Sequence, residues 1–170
     1  MPLDQTGYRN TFPLTKVLDR LYLGGFKDAE DLKSGTPLNI THICNCTTEP
    51  LTYSSRAGYK VIQMDQLDGH EWNVQKLYSA VDWIRRALLG GGTALVHCHA
   101  GISRSPVLVA TYLYTCGFDF DRALDRIKVE RPIIQPAPAI LISAKKAFGL
   151  SSLTAHFPDN EFISKKGTNA

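Results

Sequence analysis

The stretch Thr93-Ala94-Leu95-Val96-His97-Cys98-His99-Ala100-Gly101-Ile102-Ser103-Arg104-Ser105-Pro106 restricts the fold of this chain more than any other. Thr93 to His97 is a short apolar run of the kind that sits in the centre of a sheet. Ser105-Pro106 marks a helix start, because proline in a first helical turn lacks only an N–H that would go unpaired anyway. A strand, a tight loop from Cys98 to Arg104 and a helix to about Cys116 therefore follow one another directly. That succession belongs to an α/β domain.

The remaining pattern agrees with this class. Lys16-Val17-Leu18, Leu21-Tyr22-Leu23, Ile40 to Cys44 and Tyr59 to Met64 read as strands, the second stopped by Gly24-Gly25. A short helix is expected from Ala29 to Lys33, capped by Asp28 and ended by Gly35. Thr47 to Gly58 reads as a surface loop. Val74, Leu77, Val81, Ile84 and Leu88 recur at helical spacing, so Trp72 to Leu89 forms a long amphipathic helix. Gly90-Gly91-Gly92 ends it; no G-K-[ST] follows that would make these glycines a nucleotide cradle. Further helices are expected over Asp121 to Glu130 and Ala137 to Phe148. The organisation read is an amino-terminal extension over 1–13, one domain over 14–149 and a polar tail over 150–170.

A chain of 170 residues, 44% apolar and 21% charged, buries roughly two thirds of its unfolded surface and needs no covalent or metal staple. Cys44, Cys46, Cys98 and Cys116 have no zinc-site or disulfide-framework spacing, which points to a reduced, intracellular setting, cytoplasmic or nuclear. Neither a signal peptide nor an apolar run of membrane-spanning length is present, so no membrane insertion is expected. The net charge of +3 comes from basic residues scattered in pairs, such as Arg85-Arg86, Lys145-Lys146 and Lys165-Lys166. Scattered pairs do not form a nucleic-acid stripe, and no nucleic-acid partner is expected.

The loop from Cys98 to Arg104 carries the chemistry. Successive backbone amides in such a loop form an anion nest, and the helix behind it adds the positive end of its dipole. This lowers the pKa of Cys98 and prepares a seat for a phosphoryl dianion above the sulfur. Arg104 can set its planar fork against two phosphoryl oxygens, and Ala100 and Gly101 let the backbone approach closely. The resulting substrate cradle is His99, Ala100, Gly101, Ile102, Ser103 and Arg104. Thiolate, nest and arginine together specify attack on phosphorus, followed by hydrolysis of the thiophosphate. Ser105 can donate its hydroxyl to the sulfur when it leaves, and His97 fixes the loop through hydrogen bonds. Of the other cysteines, Cys44 faces the core, Cys116 packs late in its helix, and Cys46 lies toward the same rim as Cys98, where it is a candidate redox partner.

His97-Cys98-His99-Ala100-Gly101-Ile102-Ser103-Arg104-Ser105 resembles the H-C-x-x-x-x-x-R-[ST] motif of the cysteine-dependent protein tyrosine phosphatase superfamily, and Ala100 to Pro106 looks most like its dual-specificity phosphatases. The resemblance extends from about Leu14 to Phe148. Leu21-Tyr22-Leu23-Gly24 is similar to the family's opening strand, Ile40 to Ile43 to its central one, and Arg131-Pro132 with Pro136 and Pro138 to the segment closing its last helices. It implies a single domain with a central mixed sheet flanked by helices, which needs no metal and no cofactor.

The resemblance also implies a general acid, an aspartate on a loop roughly thirty residues before the cysteine, whose pKa is raised by partial burial or by an interaction near the site. Asp68 is the preferred candidate and Asp65 the alternative. The implied substrate is a phosphorylated protein carrying phosphotyrosine and phosphoserine or phosphothreonine, since the loop lacks the lysines with which phosphoinositide phosphatases meet extra phosphates. Rival readings are a sulfurtransferase of the rhodanese type, a phosphatase for a non-protein phosphate ester, and a phosphoprotein-binding module with little turnover. The oligomeric state and physiological partner are not legible in the sequence.

Overall fold

Side chains alternate across the strands and sort the core into two layers, one on each face of a single sheet. The computed structural model describes residues 12–32, 38–52 and 58–150. Strands β1 (Thr15–Leu18), β2 (Leu21–Gly24), β3 (His42–Asn45), β4 (Lys60–Gln63) and β5 (Ala94–His97) lie in the order β1-β2-β5-β3-β4. β1 runs antiparallel to β2, and the remaining pairs are parallel. The sheet is therefore mixed, and β5 occupies its middle.

The helices are α1 (Phe26–Asp31), α2 (Val74–Leu89), α3 (Arg104–Thr115), α4 (Phe120–Glu130) and α5 (Pro138–Ala147). Leu21, Leu23, Cys44, Ala94 and Val96 enter the larger layer with the apolar faces of α2 to α5. Ile43 and Leu95, the alternate residues, enter the smaller layer with Ala29 and Leu32. α3 packs against β2, β5, α2, α4 and α5, and each of its residues from Arg104 to Leu113 is buried. Burial on both faces explains why the β5 sequence reads as a continuous apolar run.

The connections after β2 and β5 leave for opposite faces, α1 on the smaller layer and α3 on the larger. Gly24 and Asn45 both pair with His97, so three loops meet at one carboxyl-terminal edge. Such a divergence opens a crevice beyond the strand ends, where α/β sheets seat ligands.

Most expected elements lie within two residues of their positions, with one clear exception. The first helix begins at Phe26, with Gly25 as its N-cap, three residues before the expected start at Ala29. Asp28 does not precede the helix; it sits inside the first turn and accepts the Gly25 N–H at 2.8 Å. The expected end at Lys33 to Gly35 lies outside the described residues, as do 1–11 of the extension, part of the loop after Thr47 and 151–170 of the tail. Among the described residues no helix is long and apolar enough to cross a membrane.

Candidate active site

A peptide plane carries its C=O and the next residue's N–H in opposite directions. Amides can converge on a ligand only if the carbonyls between them are held on the outside, and here each has a donor there. The Cys98 carbonyl pairs with His97 Nδ1 at 3.0 Å. The Phe26 N–H donates to the His99 carbonyl at 2.8 Å, and the Gln135 N–H donates to the Ile102 carbonyl at 2.8 Å. Between them, Arg131 Nη2 donates to Ala100 O at 3.2 Å and Arg131 Nε to Gly101 O at 2.8 Å. The amides of residues 99–103 are thereby turned into the loop, forming the nest.

Cys98 is buried at the base of this nest, with Ser105 Oγ 3.1 Å from its sulfur. Burial is the largest influence on the thiol and opposes its ionisation. The Ser105 hydroxyl and amide, the Arg104 charge and the Ser103 amide together outweigh it, so the pKa lies below the ordinary thiol value. His97 is pushed by burial down to about 4 and is neutral at physiological pH. Its bond to a carbonyl requires the proton on Nδ1, and Nε2 has no partner among the described residues. A ring edge-on to Phe26, with centroids 5.7 Å apart, completes its packing. His97 thus holds the Cys98 carbonyl as a neutral ring.

Arg104 is only 8% exposed and donates from Nη1 to the Gln66 carbonyl at 2.8 Å. Its Nε has no hydrogen-bond partner among the described residues. A buried guanidinium N–H without an acceptor is costly, and an anion in the nest would satisfy it. Asp68 Oδ1 lies 4.0 Å from that Nε. Asp68 is not partly buried, which was one of the two settings expected for the acid: its side chain is 56% exposed, because it sits on a turn with Gly69, whose N–H it accepts at 3.0 Å. Asp65 has a left-handed backbone (φ 50°) and accepts from Gln63 Nε2 at 3.2 Å. Of the cradle residues, His99 is exposed at the rim, Ala100 and Ile102 are half-buried, and Gly101 and Ser103 are buried. Ser103 Oγ accepts the Ala137 N–H at 2.9 Å and so ties the loop to the start of α5.

Three features of the site escaped the sequence reading. Arg131, singled out in the sequence only with Pro132 in the segment closing the last helices, is fully buried and also donates to Pro13 O and Thr15 Oγ1, at 2.8 and 3.0 Å. Gly101 has φ +67°, and a Cβ there would stand 2.5 Å from Arg131 Nη2 and 2.7 Å from Gly24 O, so loop, arginine and β2 fit only around a glycine. Gln66, buried between the two candidate acids, holds Arg104. No local pattern signals these partnerships, which join residues distant in the chain.

The other cysteines divide. Cys44 and Cys46 are fully buried. Burial and the neighbouring Cys44 thiol push the Cys46 pKa well above its ordinary value; Cys46 also interacts electrostatically with Cys98, and its N–H donates to His97 O at 2.9 Å. Cys116 does not pack: it is the exposed C-cap of α3, one residue past the last helical position. Among the described residues no group of three His, Cys, Asp or Glu is placed to hold a metal ion.

Comparison with known proteins places this arrangement. The family model for the dual specificity phosphatase catalytic domain matches residues 21–143. Dual specificity protein phosphatase 15 of Mus musculus is 39% identical over 127 residues, covering 74% of this chain and 53% of the relative. Dual specificity protein phosphatase 22-B of Danio rerio is 35% identical over 125 residues, covering 72% and 67%. The chain thus spans about half the length of the first of these. The crystal structure of DUSP15 matches with a TM-score of 0.73 and 35% identity, covering 82% of this chain and 88% of that one.

Two outcomes follow from the geometry. Below its ordinary value of 6.5 the unfolded chain protonates His97, whereas the folded chain does so only near 4, so stability is lost as pH falls through that window. Urea unfolding should show a loss on the order of 3 kcal/mol from this group across the window, absent in His97→Asn. Arg131→Lys keeps the charge but not the fork that holds two carbonyls. Its iodoacetamide reaction at Cys98 near pH 6 should slow at least about threefold as the amides lose their orientation.

Proposed function

Because this chain belongs to the dual specificity phosphatase catalytic-domain family, we propose that it is a metal-independent protein phosphatase acting on phosphotyrosine and on phosphoserine or phosphothreonine. The observation that carries this reading is the buried Cys98 sulfur, 3.1 Å from the Ser105 hydroxyl, together with an Arg104 Nε that has no hydrogen-bond partner among the described residues. A phosphoryl group in the nest accepts from that N–H and from the inward amides, which offset the charge on its equatorial oxygens.

The Cys98 thiolate attacks phosphorus, the bond to the leaving oxygen breaks, and Asp68 gives that oxygen its proton. Water then attacks the phosphocysteine, Asp68 takes a proton from it, and the sulfur leaves as a thiolate stabilised by the Ser105 hydroxyl. Asp68 is favoured over Asp65 because its carboxylate lies beside Arg104, whereas that of Asp65 is turned toward Gln63. A loop whose variable positions are His99, Ala100, Gly101, Ile102 and Ser103 brings one histidine and no lysine toward the substrate, which favours a phosphorylated protein side chain over a polyphosphorylated lipid headgroup. The proposed setting is the reducing cytoplasm or nucleus, where Cys98 persists as a thiolate.

Hydrolysis of 4-nitrophenyl phosphate in the presence of EDTA should be abolished by Cys98→Ser. Asp68→Asn should lower kcat by roughly a hundredfold or more while Asp65→Asn changes it little. Wild-type protein that binds phosphotyrosyl peptides without releasing phosphate would overturn the enzymatic reading.

Cys46 has a second proposed part. Peroxide converts the Cys98 thiolate to a sulfenic acid, and the Cys46 thiol displaces water from it to form a disulfide, which dithiothreitol reduces. Wild type should recover most of its activity after peroxide and reductant, and Cys46→Ser should recover progressively less; equal recovery would remove Cys46 from the account.

A further inference from the structure

The segment 67–71 is irregular, and its side chains are exposed. Leu67 is 54% exposed, and the core resumes only at the buried Trp72. A loop with no inward side chain must be shaped through its backbone, and one buried amide does this. Gln66 Nε2 donates to the carbonyls of Leu67, His70 and Glu71 at 3.0, 3.1 and 3.2 Å. Two N–H groups serve three acceptors, so the amide is a hub inside the loop and not the end of a single bond.

The backbone of Gln66 faces the other half of the site. Its carbonyl accepts Arg104 Nη1 at 2.8 Å, and its N–H donates to Cys46 O at 3.3 Å, anchoring it to the end of β3. One residue therefore connects the anion-binding arginine through its main chain to the acid loop through its side chain. We propose that Gln66 is a positioning residue for proton transfer, holding the loop so that the Asp68 carboxylate stands beside Arg104. This rests on the phosphatase reading and adds to it a residue outside the motif. Gln66 touches neither phosphorus nor the leaving oxygen, so its contribution is confined to the step in which the leaving oxygen is protonated.

Leaving-group dependence isolates that step, because 4-nitrophenolate departs with little help whereas phenolate needs a proton. Gln66→Leu has similar length and no donor. Its kcat for phenyl phosphate should fall at least about tenfold more than its kcat for 4-nitrophenyl phosphate. Inhibition by inorganic phosphate should stay within about twofold, because the carbonyl holding Arg104 is retained. In an Asp68→Asn background the same change should add no further leaving-group discrimination. Hydrogen exchange in segment 67–71 should accelerate at least about tenfold relative to wild type. Equal losses on the two esters, or unchanged exchange in the segment, would overturn the proposal. Wild-type protein inactive on both esters would instead sink the phosphatase reading, and exchange would still decide whether Gln66 holds the loop.

Discussion

Everything at the site depends on where the carbonyls of the loop 98–104 are held. A peptide cannot aim its amide inward without sending its neighbouring carbonyl outward, and an outward carbonyl in a buried position needs a donor. Arg131 supplies two of those donors from one side chain, the backbone of α1 supplies another, and Gln135 a fourth. The demand propagates outward. Gly101 must be glycine so that Arg131 and β2 can both approach, and the 131–137 segment must return beneath the loop. Arg131 also binds Pro13 and Thr15, so the start of the described chain is tied to the same point.

The electrostatics of Cys98 are a contest between burial and donors. Water exclusion opposes ionisation of the sulfur, as it does at Cys46, which shares the burial and feels Arg104 but has the Cys44 thiol beside it in place of the Ser105 hydroxyl and the loop amides. The contrast between two buried cysteines in one core layer is that oriented donors turn the Cys98 pKa downward despite enclosure, whereas burial and neighbouring thiols turn that of Cys46 upward. His97 fits the same logic: a neutral ring donates to a carbonyl and adds no positive charge beneath the nest. The net charge of the chain has no part in this, since Arg104 and Arg131 act at short range in a dry site.

Local pattern reaches far into the fold. β5 is a run of four fully buried residues, α2 carries a stripe at helical spacing, and Ser105-Pro106 starts α3 within a residue of its position, because each of these signals is written in consecutive side chains. The misreadings are local ambiguities that tertiary contact resolves. Asp28 is as good a capping residue at one position of a first turn as at another, and only the loop carbonyl of His99, accepting the Phe26 N–H, sets the start of α1. Cys116 was expected to pack because it continues an apolar helix, yet the helix ends one residue earlier and turns it outward.

Cys98, Arg104 and Ser105 were legible in the sequence because they stand within eight consecutive residues between a strand and a helix start. The family resemblance offered Asp65 and Asp68 as candidates for the acid. What the sequence did not determine is how the loop from Cys98 to Arg104 is kept in shape. Arg131 lies 33 positions after Cys98 and Gln66 lies 32 before it, and neither has a neighbour in sequence that marks its role. Their partners are backbone carbonyls, which are identical at every position and so leave no trace in residue identity. Only the folded chain, by bringing particular carbonyls within reach of a guanidinium and an amide, decides which residues hold the chemistry in place.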